Sequence, residues 1–422
     1  MSEQTRKRRD FIQNITIALL SVLTVLLFTQ SQIFNMSSDY LGPLQSSNHS
    51  MEHIYAAQDM PLNLPVRAAV TGPYGRYGSI TLTTSADSFG PLRTLLEQAL
   101  SSARSATLCS TQVFRDALQS PSVYYDFLTP LPLPILAEVV WTSSQLTGSA
   151  RYLALSGQEN GIALYLWDGA TLCYRCDTSL PLEELERIVN QYELGNARFA
   201  FELSGSGEAL APFSLLIDET PELPVLSGTT ALSDTTRLLT LLNFNPNTNY
   251  RYPESDGSET VVEGDRSIRL HPNGTVIYRS NSEDGLTIDS LDEQPTLLEA
   301  ATGINALLGE LLSGTAGGAE LCLTEIRQTG ITTIARFHYQ INGVPVRFSD
   351  GHYAAEVTLN GSTVSGLTLY FRQYTAAGAT SLLLPLPQAV AIAARTPGQE
   401  LSIGYVDNGS GIINAGWLTD GT

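Results

Sequence analysis

From Phe337 to Tyr374 the chain runs FHYQINGVPVRFSDGHYAAEVTLNGSTVSGLTLYFRQY, with apolar and polar residues alternating almost throughout. Alternation of period two predicts antiparallel strands, and Asn342-Gly343 and Asn360-Gly361 mark tight turns between them. The preceding region carries a similar pattern. Tyr250-Arg251-Tyr252 can be laid on Phe337-His338-Tyr339, Gly264 on Gly351 and Asn273-Gly274 on Asn360-Gly361 without a gap. Ile268 and Leu270 then fall on Ala355 and Val357, which keeps each residue on its own face of a sheet. The pattern predicts a duplicated helix-plus-antiparallel-sheet unit of roughly 80–90 residues.

Other segments follow the helical period. Leu92, Leu95, Leu96 and Leu100 in FGPLRTLLEQALSSA share one face, and LPLEELERIVNQYEL, SDTTRLLTLLNF and TLLEAATGINALLGELL read as further helices. PVRAAVTGPYGRYGSITLTT predicts two short strands around a glycine-rich turn. SPSVYYDFLTPLPLP predicts a strand with a proline-rich exit, and RYLALSG and GIALYLWDG a hairpin. The fold class expected is α+β.

One stretch fits neither period. FIQNITIALLSVLTVLLFTQSQIFNMSS carries no charge between Asp10 and Asp39, and a bilayer core needs about 20 apolar residues in a helix. Arg6, Lys7, Arg8 and Arg9 precede it, which predicts a cytoplasmic N-terminus. Its exit, LLFTQSQIFNM, lacks the small-x-small pattern of a cleaved signal peptide, so a retained anchor is expected. The organisation predicted is a cytoplasmic tip at 1–10, a transmembrane anchor at 11–34 and a linker at 35–60. An α+β domain at 61–200, a middle sheet/helix domain at 201–312 and a C-terminal sheet domain at 313–422 follow. That is a single-pass cell-membrane protein with the bulk of its chain extracytoplasmic. Ala18, Ser21, Val22 and Val25 fall on one side of the predicted anchor, where small and polar residues permit close approach of a second helix.

Charge narrows the partners. Of 23 basic and 42 acidic residues, four and two lie in residues 1–10, so the remainder carries 19 and 40, a net of −21. Such a surface repels nucleic acid. Lys7 is the only lysine, which excludes Schiff-base and Walker-type chemistry from everything after it.

No catalytic pattern emerges. There is no G-x-S-x-G elbow, no H-E-x-x-H and no phosphate loop ending in lysine. His49 and His53 have ligand-like spacing but lack a third ligand, and His338 and His352 flank a turn close enough to form a pair. Cys173 and Cys176 form CYRC at a strand end rather than at a helix start, which argues for buried thiols or an incidental bridge over a redox motif. Cys109 and Cys322 stand isolated in the sequence. Asp126, Glu138, Asp218 and Glu219 are carboxylates without a catalytic spacing. No cofactor or metal and no enzymatic activity are expected. Eighteen tyrosines suit both sheets and protein-binding surfaces, and Phe337, Tyr339, Tyr353, Tyr370 and Tyr374 form the candidate docking surface.

The short basic tip, the stretch RKRRDFIQNITIALLSVLTVLLFTQ and the long following part together resemble the YycH and YycI (WalH and WalI) regulators of Gram-positive bacteria. FHYQINGVPV, EVTLNGSTVSGLTLYFRQY and ELSIGYVDNGSGIINAGW are similar to the PepSY-like sheets of that family. The chain ends soon after Trp417, where a fuller final strand would be expected of the family. The resemblance implies an accessory regulator of the WalK–WalR two-component system, which governs cell-wall metabolism. Its partners would be a membrane sensor histidine kinase and a second regulator of the same type. The alternative is an extracytoplasmic ligand- or peptide-binding or protease-inhibitor-like module of the cell envelope, which requires a groove between its sheet units.

Overall fold

Thr333, Ala335, Phe337 and Tyr339 all point inward from the strand Thr332–Ile341, while Ile334, Arg336 and His338 point outward. Burial of a large apolar side chain contributes about 1.5–3 kcal/mol, so a period-two pattern of this length strongly selects its register. The computed structural model describes residues 62, 65–81, 86–137, 148–232, 234–247, 250–281 and 285–419. These described residues fall within a single compact unit.

Three sheets organise it. The first has nine strands, in the order Arg104–Cys109, Cys173–Asp177, Gly161–Trp167, Ser149–Gln158, Ser122–Pro132, Arg67–Thr71, Tyr77–Thr81, Ala197–Phe199 and Leu215–Ile217. Both of its faces are covered. The helices Ala86–Ser102 and Leu182–Val189 lie on one side, contributing Leu92, Leu95, Leu185 and Ile188 to the main core. On the other side an aromatic layer, including Phe114, Tyr124, Tyr165, Trp167 and Phe213, packs beneath the helix Thr111–Gln119. Its rings meet mostly edge to face, the arrangement favoured by their quadrupoles.

The second large sheet has twelve strands and begins with the edge strand Arg251–Pro253. Thr275–Ser280 pairs antiparallel with Thr363–Tyr370, so the middle and last parts of the chain share one sheet. Its far end is built by Val344–Phe348, Leu401–Asp407 and the edge strand Ala415–Thr419, with one parallel pair between the first two. A third sheet of three strands, Arg372–Thr380, Pro224–Thr230 and Ile412–Ile413, ties the chain between the large sheets to the C-terminal part. The helix Leu297–Leu312 lies against the twelve-stranded sheet through Ala300, Ile304, Leu308 and Leu311. Its start is set by a capping box: Thr296 Oγ1 accepts from the Glu299 N–H, and Glu299 Oε2 accepts from the Thr296 N–H at 2.7 Å.

Two expectations require correction. Strands make up 44% of the structure and helices 22%, so the fold is mostly β rather than the α+β arrangement of an anchor followed by repeated helix-plus-sheet domains. The proposed repeat fails at a definable point. Arg266–Leu270 pairs with Glu259–Glu263, whereas its counterpart Ala355–Asn360 pairs with Thr332–Ile341 instead of with Val344–Phe348. Equivalent strands are therefore joined in a different order within one continuous sheet. The second correction concerns the membrane. The tip, the anchor and the linker, with Ala18, Ser21, Val22 and Val25, lie outside the described residues, and no described helix is long and apolar enough to cross a membrane. The single-pass cell-membrane assignment has no support in the structure and is withdrawn.

Candidate functional site

The edge strand Leu215–Ile217 of the first sheet runs close to the strand Leu401–Asp407 of the second. They are tied together at one end, where the Ala211 N–H donates to the Gln399 carbonyl (2.9 Å) and the Gly398 N–H donates to the Ala209 carbonyl (2.7 Å). Further along, Leu215 and Ile217 from one side and Leu401, Ile403 and Trp417 from the other line a cleft of about 370 Å³. Val344, Pro345 and Leu223 add to its apolar lining. The turn that delivers Val344 is the one visible in the sequence: Asn342 and Gly343 both adopt positive φ, 49° and 77°, as a two-residue hairpin turn requires. The Trp417 indole N–H donates to the Leu384 carbonyl at 2.8 Å, which fixes the ring at the cleft wall.

Polar residues line the rest of the cleft: Arg67, Ser79, Asn196, Glu219, Thr220, Glu222 and Ser402. Ser79 Oγ is shut off from solvent and has no hydrogen-bond partner, although the Ser79 N–H is held by Asn196 Oδ1 at 2.9 Å. A buried hydroxyl of this kind is costly to leave unpaired. Glu219 and Glu222 stand exposed at the rim. Leu128 also lines the cleft with φ of 64°, a region that non-glycine residues seldom occupy. Asp126 holds it there by accepting the Leu128 N–H at 2.8 Å.

Behind the cleft lies a balanced ion cluster. Arg67 donates to Asp126 and, at 2.7 Å, to Glu400 Oε1. Arg151 bridges the same two carboxylates, and the Tyr152 hydroxyl donates to Glu400 Oε2 at 3.1 Å. Asp126 and Glu400 are buried. Burial works against charge on Arg67, but Asp126 and Glu400 outweigh it and hold the guanidinium above its ordinary value. Asp126 experiences the same contest: burial raises its pKa, Arg67 and Arg151 pull it down, and the net result lies below the ordinary carboxylate value. Two opposed pairs with no carboxylate left free form a structural lock, with no acid or base poised for chemistry.

The other residues marked in the sequence do not converge. Phe337, Tyr339 and Tyr374 are buried in the core and present no docking surface. Tyr374 instead donates to Asp407 at 2.9 Å, beside a bidentate Arg372–Asp407 pair. Tyr353 and Tyr370 are half-buried along a shallow polar depression with Asp350, His352 and Glu356. His338 stacks on Tyr353 and His352 pairs with Asp350, so each histidine has a partner other than its fellow. Tyr124 and Tyr125 are fully buried in a central strand. Asp218 is bound by Arg198 and Glu219 is exposed, while Glu138, His49 and His53 lie outside the described residues. Among the described residues no three His, Cys, Asp or Glu side chains gather as metal ligands.

The cysteines rearrange most. Cys173 and Cys176 lie in one strand, three residues apart and therefore on opposite faces, one in the aromatic layer and the other in the main core. Cys173 instead faces Cys109, its direct cross-strand partner. No local motif signals this pairing; only the chain's long-range strand order creates it. No family model, curated protein or solved structure matches the chain, so the resemblance to the YycH and YycI regulators rests on its sequence motifs alone.

Proposed function

We propose that this protein is a binding module without catalytic chemistry of its own, and that its cleft receives an extended peptide segment bearing apolar side chains. The observation that carries this reading is the placement of the edge strands Leu215–Ile217 and Ala415–Thr419, one from each large sheet, beside one apolar cleft. A sheet edge offers main-chain donors and acceptors to an added strand, and pockets beside it select alternate side chains. A concave cavity lined mainly by apolar residues is also the usual form of a ligand site. Glu219 and Glu222 at the rim favour a segment with a basic residue beside its apolar ones. A sensor histidine kinase, the partner implied by the family resemblance, is the first candidate to supply such a segment.

The test is a titration of the full chain with short labelled peptides, followed by fluorescence polarisation. Peptides with alternating apolar residues and one Lys or Arg should bind, and N-methylation of their backbone amides at alternate positions should weaken binding. Absence of peptide binding, or binding indifferent to N-methylation, would overturn the reading. Displacement of nothing but a small apolar dye would point to a small-molecule pocket instead.

A further inference from the structure

The Cys109 and Cys173 sulfurs lie 2.8 Å apart as free thiols. That is nearer than two unbonded sulfurs normally sit and a short movement from the ~2.05 Å of a disulfide. Direct cross-strand partners hold their Cα atoms about 4.5–5.5 Å apart, within the range of about 4.4–6.8 Å that a disulfide spans. The two residues differ in access. Cys109 is half-buried on the edge strand of the nine-stranded sheet, and Cys173 lies fully buried behind it. The remaining thiols are placed differently: Cys176 faces the opposite side of its strand, and Cys322 belongs to the other large sheet.

The strand that would be joined is weakly held. Arg104–Cys109 is exposed along most of its length, and its pairing with Cys173–Asp177 is interrupted by one extra residue, with Ser105 at φ of 55°. Such a bulge leaves part of the ladder unpaired. A covalent link at Cys109 would hold the end of the strand where pairing resumes.

We propose that Cys109 and Cys173 form a thiol–disulfide exchange site that takes low-molecular-weight disulfides and closes into an intramolecular cross-link over the edge strand. The Cys109 thiolate attacks one sulfur of the incoming disulfide RSSR, and the S–S bond breaks to release RS⁻ and leave Cys109–S–S–R. Capping of Cys109 removes the hydrogen bond that, together with burial, holds the Cys173 thiol above its ordinary value; Cys173 then gives up its proton and attacks Cys109 Sγ, forming the Cys109–Cys173 bond and expelling the second RS⁻. The protons given up by the two cysteines pass through solvent to the two leaving thiolates. Two protein thiols are oxidised, and one RSSR is reduced to two RSH. The Cys109 thiol is held below its ordinary pKa by the hydrogen bond from Cys173, against burial and with help from Arg175, which suits it to attack first. Burial raises the Cys176 and Cys322 thiols to about 12, and neither faces Cys109 across the ladder, so neither resolves the mixed disulfide.

The reduced full chain would be incubated with glutathione disulfide, unfolded, alkylated and digested for mass spectrometry. The expected result is one Cys109–Cys173 cross-linked peptide, two glutathione molecules released per chain, and Cys176 and Cys322 alkylated. Cys173→Ser should trap glutathione on Cys109, Cys109→Ser should leave Cys173 reduced, and Cys176→Ala should form the cross-link as the native chain does. Hydrogen exchange along 104–109 should slow on oxidation. Full alkylation of Cys109 and Cys173 in the native chain, glutathione retained on both, or a Cys173–Cys176 link would each overturn the proposal.

Discussion

Arg67 and Glu400, separated by 333 positions in the chain, meet in a 2.7 Å ion pair that joins the first described strand to the C-terminal part of the fold. Glu400 also receives Arg151 and Tyr152, so its removal leaves two nearly buried guanidinium groups sharing Asp126 alone. Stranding a buried charge costs about 3–5 kcal/mol, whereas exposed pairs contribute about 0–1. Glu400→Ala is therefore expected to lower stability to urea by ~3 kcal/mol. Glu254→Ala, which breaks a half-exposed pair with Arg269, should lower it by less than ~1 kcal/mol. Equal losses in the two variants would mean that the cluster does not lock the fold.

Acid should act in two windows. His338 is held at about 4, first by burial and then by the charge of Arg347. The unfolded chain binds the proton more tightly, with a pKa near ~6.5. The contribution of neutral His338 is therefore complete above about pH 6.5, declines below it and is lost by about pH 4. Asp126 is depressed in the fold, so its contribution is complete above its unfolded value of about 3.9 and is lost as the pH falls through its lower folded value. His338→Phe keeps the stack on Tyr353 and should flatten stability between about pH 4 and 6.5 while leaving acid unfolding at lower pH intact. Chemical denaturation across pH would show this, and an unchanged slope would refute it.

Two turn glycines separate backbone strain from crowding. Gly361 has φ of 62°, and a Cβ there would sit 2.6 Å from the Glu293 carbonyl oxygen. Gly351 has φ of 78° with open space around it. A left-handed conformation costs a non-glycine residue about 1–2 kcal/mol, so Gly351→Ala should lose that much. Gly361→Ala should lose more, since backbone must shift as well, and thermal melts of the two variants would compare them.

For the cleft, Ile217→Arg is expected to weaken peptide binding at least tenfold, about 1.4 kcal/mol, by filling the cavity. Because Ile217 is only half-buried, the melting temperature should change little. Ile412→Arg, on an exposed side chain away from the cleft, should bind as the native chain does. Loss of binding in both variants would place the site elsewhere.

Much of the local structure was visible in the residues. The alternation through Thr332–Ile341 set which side chains share a face, Asn342-Gly343 and Asn360-Gly361 marked turns that are present with positive φ, and leucine spacing located Ala86–Ser102 and Leu297–Leu312. These are short-range consequences of backbone geometry and side-chain period. The same alternation misled over Phe337, Tyr339 and Tyr374, because a period of two does not say which face is covered. Which strand lies beside which was equally hidden. The fusion of Thr275–Ser280 with Thr363–Tyr370, the meeting of Cys109 with Cys173 and the cleft between Leu215–Ile217 and Leu401–Asp407 all join segments far apart in the chain. By itself, then, the sequence determined strands, helices and turns through contacts a few residues apart. Tertiary structure alone decided their neighbours, because any strand's backbone can pair with any other, and only packing of the whole core selects between them.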